Sequence, residues 1–202
     1  MKNVIKHSKK VFLMVALFAT VIGYANESLF YASTNEDDRI VLTLTNVKEG
    51  NLFTIKDQNG VILYKESIQK SGNYTKGFDF TKLPNGSYIV ELDKDVEINV
   101  IPLTVKGLDV SFDKSMIQTF YKPVTRIKSD KVFVTKLALD RSPLSIKIYF
   151  ENSDFGSTEE LVYAETIENT KVIERIYKLT GLEEGNYKIV YKSKGRTFVE
   201  YI

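Results

Sequence analysis

Alternation of apolar and polar residues with a period of two runs through most of the chain. Ile40, Leu42 and Leu44 alternate with Val41, Thr43 and Thr45, and Tyr88, Val90 and Leu92 with Ile89 and Glu91. Leu144, Ile146, Ile148 and Phe150 alternate with Ser145, Lys147 and Tyr149. Successive side chains of a strand point to opposite faces, so this period predicts half-buried strands. No long stretch keeps the 3.6-residue period of a helix. Asn59-Gly60 separates two such runs and predicts a type I′ hairpin turn, whose two central residues both need positive φ. Turn signals recur about every 8 to 12 residues, the spacing of a β-sandwich.

The pattern also repeats. Ile62–Leu92 laid over Leu161–Tyr191, at an offset of 99, gives seven identities in 31 positions, where ordinary composition predicts roughly two. Tyr64 falls on Tyr163, Glu66 on Glu165, Ile68 on Ile167 and Thr81 on Thr180; Leu83, Gly86 and Tyr88 fall on Leu182, Gly185 and Tyr187. Upstream, at a shifted offset, Leu42 and Leu44 resemble Leu137 and Leu139, and Phe53 resembles Ile148, with a longer loop around Asn152–Thr158 in the second copy. Pro102 interrupts the strand that closes the first copy, Lys106-Gly107 permits a bend, and residues 108–130 add a strand or two before the second repeat. The expected fold is all-β: two tandem immunoglobulin-like or fibronectin III-like antiparallel β-sandwich domains, residues 26–104 and 105–202.

Residues 1–25 are expected to be a signal peptide. Lys2, Lys6, Lys9 and Lys10 precede the apolar run Val11–Ile22, and Gly23-Tyr24-Ala25 offers small residues at a cleavage site. The run is shorter than the roughly 20 residues of a spanning helix, so no integral span is expected after cleavage. Without the leader the chain carries 24 basic and 26 acidic residues, a formal charge of −2. That balance, with no dense Lys/Arg block after Lys10, argues against nucleic acid as a partner. The single histidine, His7, lies in the leader, and the chain has no Cys and no Trp. Nucleophilic catalysis through a histidine base, zinc sites of His and Cys, and a lipid-anchoring cysteine are thereby excluded.

In the shared Leu-x-x-Gly-x-Tyr motif, Leu83 and Leu182 are expected to anchor a turn in the core. Gly86 and Gly185 reverse the backbone, and Tyr88 and Tyr187 open the next strand with the ring inward and the hydroxyl on a backbone group. That is a tyrosine corner. Asn59-Gly60-Val61 followed by Phe78-Asp79-Phe80-Thr81-Lys82-Leu83-Pro84-Asn85-Gly86-Ser87-Tyr88-Ile89-Val90 resembles the C-terminal sorting domain of the Bacteroidota type IX secretion system. The resemblance covers residues 50–101 and, more faintly, 144–202. It implies an exported immunoglobulin-like sandwich protein, with no activity attached.

Candidate chemistry is sparse. Glu66 and Glu165 occupy matched strand positions in different copies, where they read as edge-strand charges rather than a glycosidase pair. The acidic turns Asn35–Asp38, Asp57–Asn59, Asp93–Asp95 and Asn152–Asp154 lack the ligand spacing of a calcium loop, and no cofactor is expected. Phe30, Tyr31, Phe120 and Tyr121 lie outside the repeated core pattern and are the candidate ligand contacts, set against a role in packing. The function expected from sequence is a non-catalytic structural or protein-interaction protein of the bacterial envelope, cell surface or extracellular space. The alternatives are a carbohydrate-binding or adhesin-like module, or type IX cargo.

Overall fold

The computed structural model describes residues 30–34, 40–152, 158–178 and 186–202. The first copy supplies β1 (Phe30–Thr34), β2 (Ile40–Val47), β3 (Leu52–Asp57), β4 (Ile62–Ser67), β5 (Gly72–Phe78), β6 (Gly86–Asp93) and β7 (Glu97–Lys106). Then come β8 (Asp109–Phe112) and β9 (Gln118–Tyr121). The second copy supplies β10 (Val124–Lys128), β11 (Lys131–Leu137), β12 (Leu144–Asn152), β13 (Thr158–Ile167), β14 (Val172–Lys178), β15 (Asn186–Ser193) and β16 (Arg196–Tyr201). Every pairing among the described residues is antiparallel. The protein is all-β.

The duplication is written into the topology. A sheet ordered β1-β2-β5 is matched by β10-β11-β14, and β4-β3-β6-β7 by β13-β12-β15-β16. In both copies the fourth strand pairs with the third, so the division is three plus four, with the fourth strand on the other sheet from that of a constant-type immunoglobulin domain. Even the irregularities coincide. Ile55 lies opposite Tyr64 and Val90, with a bulge following it; Ile148 lies opposite Tyr163 and Ile189, again with a bulge following.

These registers correct the upstream alignment. Ile40, Leu42 and Leu44 face Phe78, Lys76 and Tyr74, and Val132, Val134 and Lys136 face Tyr177, Arg175 and Ile173. Leu42 therefore corresponds to Val134 and Leu44 to Lys136, while Leu137 and Leu139 are exposed. Matching leucine to leucine shifts the strand by an odd number of residues, which exchanges its two faces. Phe53 likewise corresponds to Ile146, since each lies opposite the matched glutamate, Glu66 or Glu165.

The described residues fall into two compact units: β1, β2 and β5 make one, and the remaining strands the other. In the first, Phe30, Leu42, Leu44 and Val47 are buried. A bulge around Asn46 (φ 53°) lets the odd-numbered Val47 join the even-numbered pair. The second unit contains a complete sandwich, in which β10-β11-β14 and β13-β12-β15-β16 enclose Val132, Val134, Leu144, Ile146, Ile148, Ile173, Ile189 and Tyr191. Tyr191, fully buried, satisfies its hydroxyl on Thr125 Oγ1 at 2.7 Å.

Two turns depart from expectation. Gly60 has φ 82°, but Asn59 is not in the left-handed region. The Asp57 carbonyl accepts from Gly60 N at 3.0 Å, and its carboxylate accepts from the amides of Asn59 and Val61. That is a type I turn closed by a left-handed glycine, with the aspartate supplying the acceptors that make a primed turn unnecessary. Pro102, in turn, does not end a strand, because β7 runs through it. Its carbonyl accepts from Asp113 N, away from β6, so its missing N–H points to the same side. There β8 covers residues 103–106 and β9 residues 97–100, leaving a gap at the proline. The extra segment thus completes the first copy's sheet along β7.

The other face of that sheet joins the two copies. Glu91, on β6, is buried and accepts from Lys56 Nζ on β3 and from Arg196 Nη2 at the start of β16. A type I′ turn at Lys194-Gly195 (φ 51° and 73°) delivers Arg196. Beside it Phe120 on β9 stacks on Phe198 of β16, centroids 5.7 Å apart and planes 13° from parallel. No described helix is long and apolar enough to cross a membrane.

Candidate functional site

Two clefts open on the larger unit. The first, about 460 Å³, runs along the rim of the second sandwich between β13 and β14, the edge strands of its two sheets. Inward-facing residues along this seam become wetter toward one end. Ile167 and Ile173 are buried; Glu165 and Arg175 follow, 3.2 Å apart; Tyr163 and Tyr177 come last, with centroids 5.4 Å apart and rings tilted by 57°. The Tyr177 hydroxyl donates to Glu165 at 2.6 Å, and burial together with that bond pushes its pKa well above the ordinary phenol value. Tyr163 and the neighbouring Leu161 are exposed. The first copy carries the same residue types on β4, where the Tyr64 hydroxyl donates to Glu66.

The second cleft, about 340 Å³, lies among β9, the end of β11, the 138–142 loop and the Lys194 turn. Phe120, Tyr121, Lys136, Leu139, Asp140 and Lys194 are among its walls. Lys194 pairs with Asp140 at 2.8 Å and, with the Ser142 amide, holds that carboxyl well below its usual range. Among the described lining residues each cleft has one carboxylate, Glu165 or Asp140.

The sequence candidates scatter. Phe30 is 1% exposed, a core ring with no free face; Tyr31 pairs with Thr43 on β2, and its side chain lies outside the described residues. Phe120 and Tyr121 come together at the second cleft, but Phe120 is 8% exposed and committed to Phe198. Tyr88 is buried, and its hydroxyl donates to the Pro84 carbonyl at 2.7 Å. Gly86 is not in the left-handed region, and a Cβ there meets only Tyr88, at 3.8 Å. Leu83 is half-buried, and the fully buried residue of the turn is Phe80. Tyr187 is buried, while Leu182 and Gly185, like the acidic turn at 35–38, lie outside the described residues. Replacing Tyr88 by phenylalanine, which removes one buried hydrogen bond and no packing, is expected to cost about 1 kcal/mol in urea denaturation.

Sequence reading missed two clusters. Cross-strand register sets Lys128, Lys131 and Lys178 side by side on β10, β11 and β14, with Arg126 two residues along, all exposed. Adjacent like charges disfavour a sheet slightly, and their spread over 50 residues hides them from any search for basic runs. The other is Lys136, 4% exposed on the core face of β11. Its signal is a lysine inside the alternation Val132, Val134, Lys136, Ala138.

No family model matches the chain, and no curated protein matches it. Among solved structures, the human OSCAR ligand-binding domain aligns with 86% of this chain and 95% of its own length, at 10% identity and a TM-score of 0.25. The BSP domain of a biofilm associated protein aligns with 90% of this chain at 15% identity and a TM-score of 0.27. This chain covers 30% of the latter's length. At such scores neither likeness carries weight, and the assignment to antiparallel β-sandwiches rests on strand order and register.

Proposed function

We propose that this chain is an exported, non-catalytic interaction protein that holds a protein partner along the rim of its second sandwich. The observation that supports it is the rim cleft itself. Two tyrosine rings and the half-buried Val162 surround a carboxylate–guanidinium pair, on a ten-residue strand whose outer edge has no ladder partner among the described residues. An extended segment adds to such an edge through main-chain hydrogen bonds, while its alternate side chains enter the cleft. The 57° angle between the rings makes a corner, which suits a side chain better than the flat face of a pyranose. Glu165 and Arg175 favour the second reading, a surface glycan, because they offer an acceptor and donors to sugar hydroxyls.

Export rests on the leader at residues 1–25, and the sorting-domain resemblance makes the type IX system one route for it. We propose to move the repeat boundary from 104/105 to Lys122-Pro123, after β9, a reading supported by the pairing of both β8 and β9 with β7.

A photo-crosslinking residue at Val162, which lines the cleft, in the full chain expressed in its native host, is expected to give one discrete protein adduct. Tyr163→Ala should abolish it while leaving the circular dichroism spectrum intact. Binding to an oligosaccharide array that is lost in Tyr163→Ala would move the reading to glycan. Absence of both an adduct and array binding would overturn an interaction role for the rim.

A further inference from the structure

Lys136 sits where a folding protein places an apolar residue. In the first copy the corresponding position is Leu44, wholly buried; in the second it is a lysine 4% exposed. An ammonium group has three protons to donate. Among the described residues Lys136 Nζ finds one acceptor, the Leu137 carbonyl at 3.1 Å, and otherwise lies over the Phe120 ring, 4.7 Å from its centroid. Among the described residues no carboxylate lies within ion-pair distance of it: Asp140, whose charge attracts it from farther off, pairs with Lys194 at 2.8 Å. Burial holds its pKa below the ordinary lysine value. In the same cleft wall the Ser142 hydroxyl oxygen is buried without a partner of hydrogen-bonding geometry.

A buried charge without a directly bonded counter-ion costs stability, and replacing such groups by apolar residues is often stabilising. A lysine retained in a leucine position beside an open cleft therefore points to a ligand that supplies the missing anion. We propose that the second cleft binds an organic monoacid, its carboxylate on Lys136 Nζ and within reach of the Ser142 hydroxyl, its carbon skeleton against Tyr121 and Leu139. Lys136, Lys194 and Asp140 leave the cleft one positive charge, which matches a single carboxylate rather than a dianion. The volume, about 340 Å³, suits a ligand of sugar-acid size. This site is independent of the rim cleft.

The test is titration of the isotopically labelled mature protein with glucuronate and with acetate, with chloride and phosphate at matched ionic strength as controls. Glucuronate is expected to give saturable shifts of the Thr119 and Ser142 amides, acetate weaker shifts at the same amides, and chloride none. Lys136→Met should weaken glucuronate binding at least tenfold and raise the thermal midpoint. Ser142→Ala should weaken binding several-fold with the midpoint unchanged. Shifts that chloride reproduces, or binding that survives Lys136→Met, would overturn the proposal. So would a lower midpoint in Lys136→Met, which would make the lysine structural. Tighter binding of phosphate than of glucuronate would refute the monoacid assignment.

Discussion

Phe120→Ala is expected to destabilise the protein by about 3–5 kcal/mol, the usual cost of emptying a buried phenylalanine site. Its ring stacks on Phe198 and contacts two cations, Lys136 Nζ at 4.7 Å and the Arg196 guanidinium carbon at 5.5 Å from its centroid. It also lies opposite Ile98 in the ladder, on the face of the β7 sheet that β16 covers. Truncation removes the stack, both cation–π contacts and the filler between the two copies. An exposed ring kept only for a ligand would cost about 0.5 kcal/mol or less when truncated. Guanidinium denaturation of Phe120→Ala beside Phe120→Leu checks this. A loss below 1 kcal/mol in the alanine variant would return Phe120 to the class of exposed ligand contacts. A large loss in alanine, mostly recovered by leucine, assigns it to packing.

The architecture was legible because a sandwich writes a short period into its sequence. Ile40–Leu44, Tyr88–Leu92 and Leu144–Phe150 alternate as half-buried strands must. The copies announced themselves where residue type serves geometry: Tyr64 and Tyr163, Glu66 and Glu165, Tyr88 and Tyr187. What failed was register. Leu42 and Leu44 matched Leu137 and Leu139 by letter, yet hydrogen bonding puts Leu44 with Lys136 and leaves Leu137 outside. Hydrophobicity is a poor guide there, because the strand carries a buried lysine on one face and an exposed leucine on the other. The Asn59-Gly60 turn failed for a local reason. The Asp57 carboxylate takes two backbone amides, and that contact lies outside the dipeptide signal.

The sites were far less legible than the fold. The rim cleft needs Glu165 on β13 and Arg175 on β14 to meet across two different sheets, and no spacing rule encodes which edge strands of a sandwich face one another. The basic row at Lys128, Lys131 and Lys178 exists only because a hairpin and a longer crossover bring three strands together. Aromatic residues outside the repeated core pattern left packing and ligand contact as alternatives, with packing favoured, and Phe30 and Phe120 are buried. A residue outside a repeat is as free to fill a boundary as to meet solvent.

Glu91→Ala is expected to cost about 3 kcal/mol, the low end for removing one partner of a buried ion pair. The low end applies because Lys56 and Arg196 keep about a quarter of their side-chain surface in water, whereas Glu91 keeps 8%. The alanine leaves two cations facing each other across the join without a counter-ion. Burial alone pushes the Glu91 carboxyl up, but hydrogen bonds and attraction from Arg196 and Lys56 outweigh it, so its pKa lies below the ordinary 4.5. A depressed carboxyl contributes stability that is fully present above the unfolded value and is lost as pH falls through the folded one. Wild-type protein should therefore weaken from about pH 4.5 downward more steeply than Glu91→Gln, which cannot titrate there. Replacing the whole cluster, by Lys56→Met, Glu91→Leu and Arg196→Met together, is expected to recover most of the loss, because apolar packing substitutes well for a buried ion cluster. If the alanine variant matches wild type in denaturation and the acid limbs of wild type and Glu91→Gln coincide, the cluster is effectively solvated. The stack of Phe120 on Phe198 then holds the copies together without it.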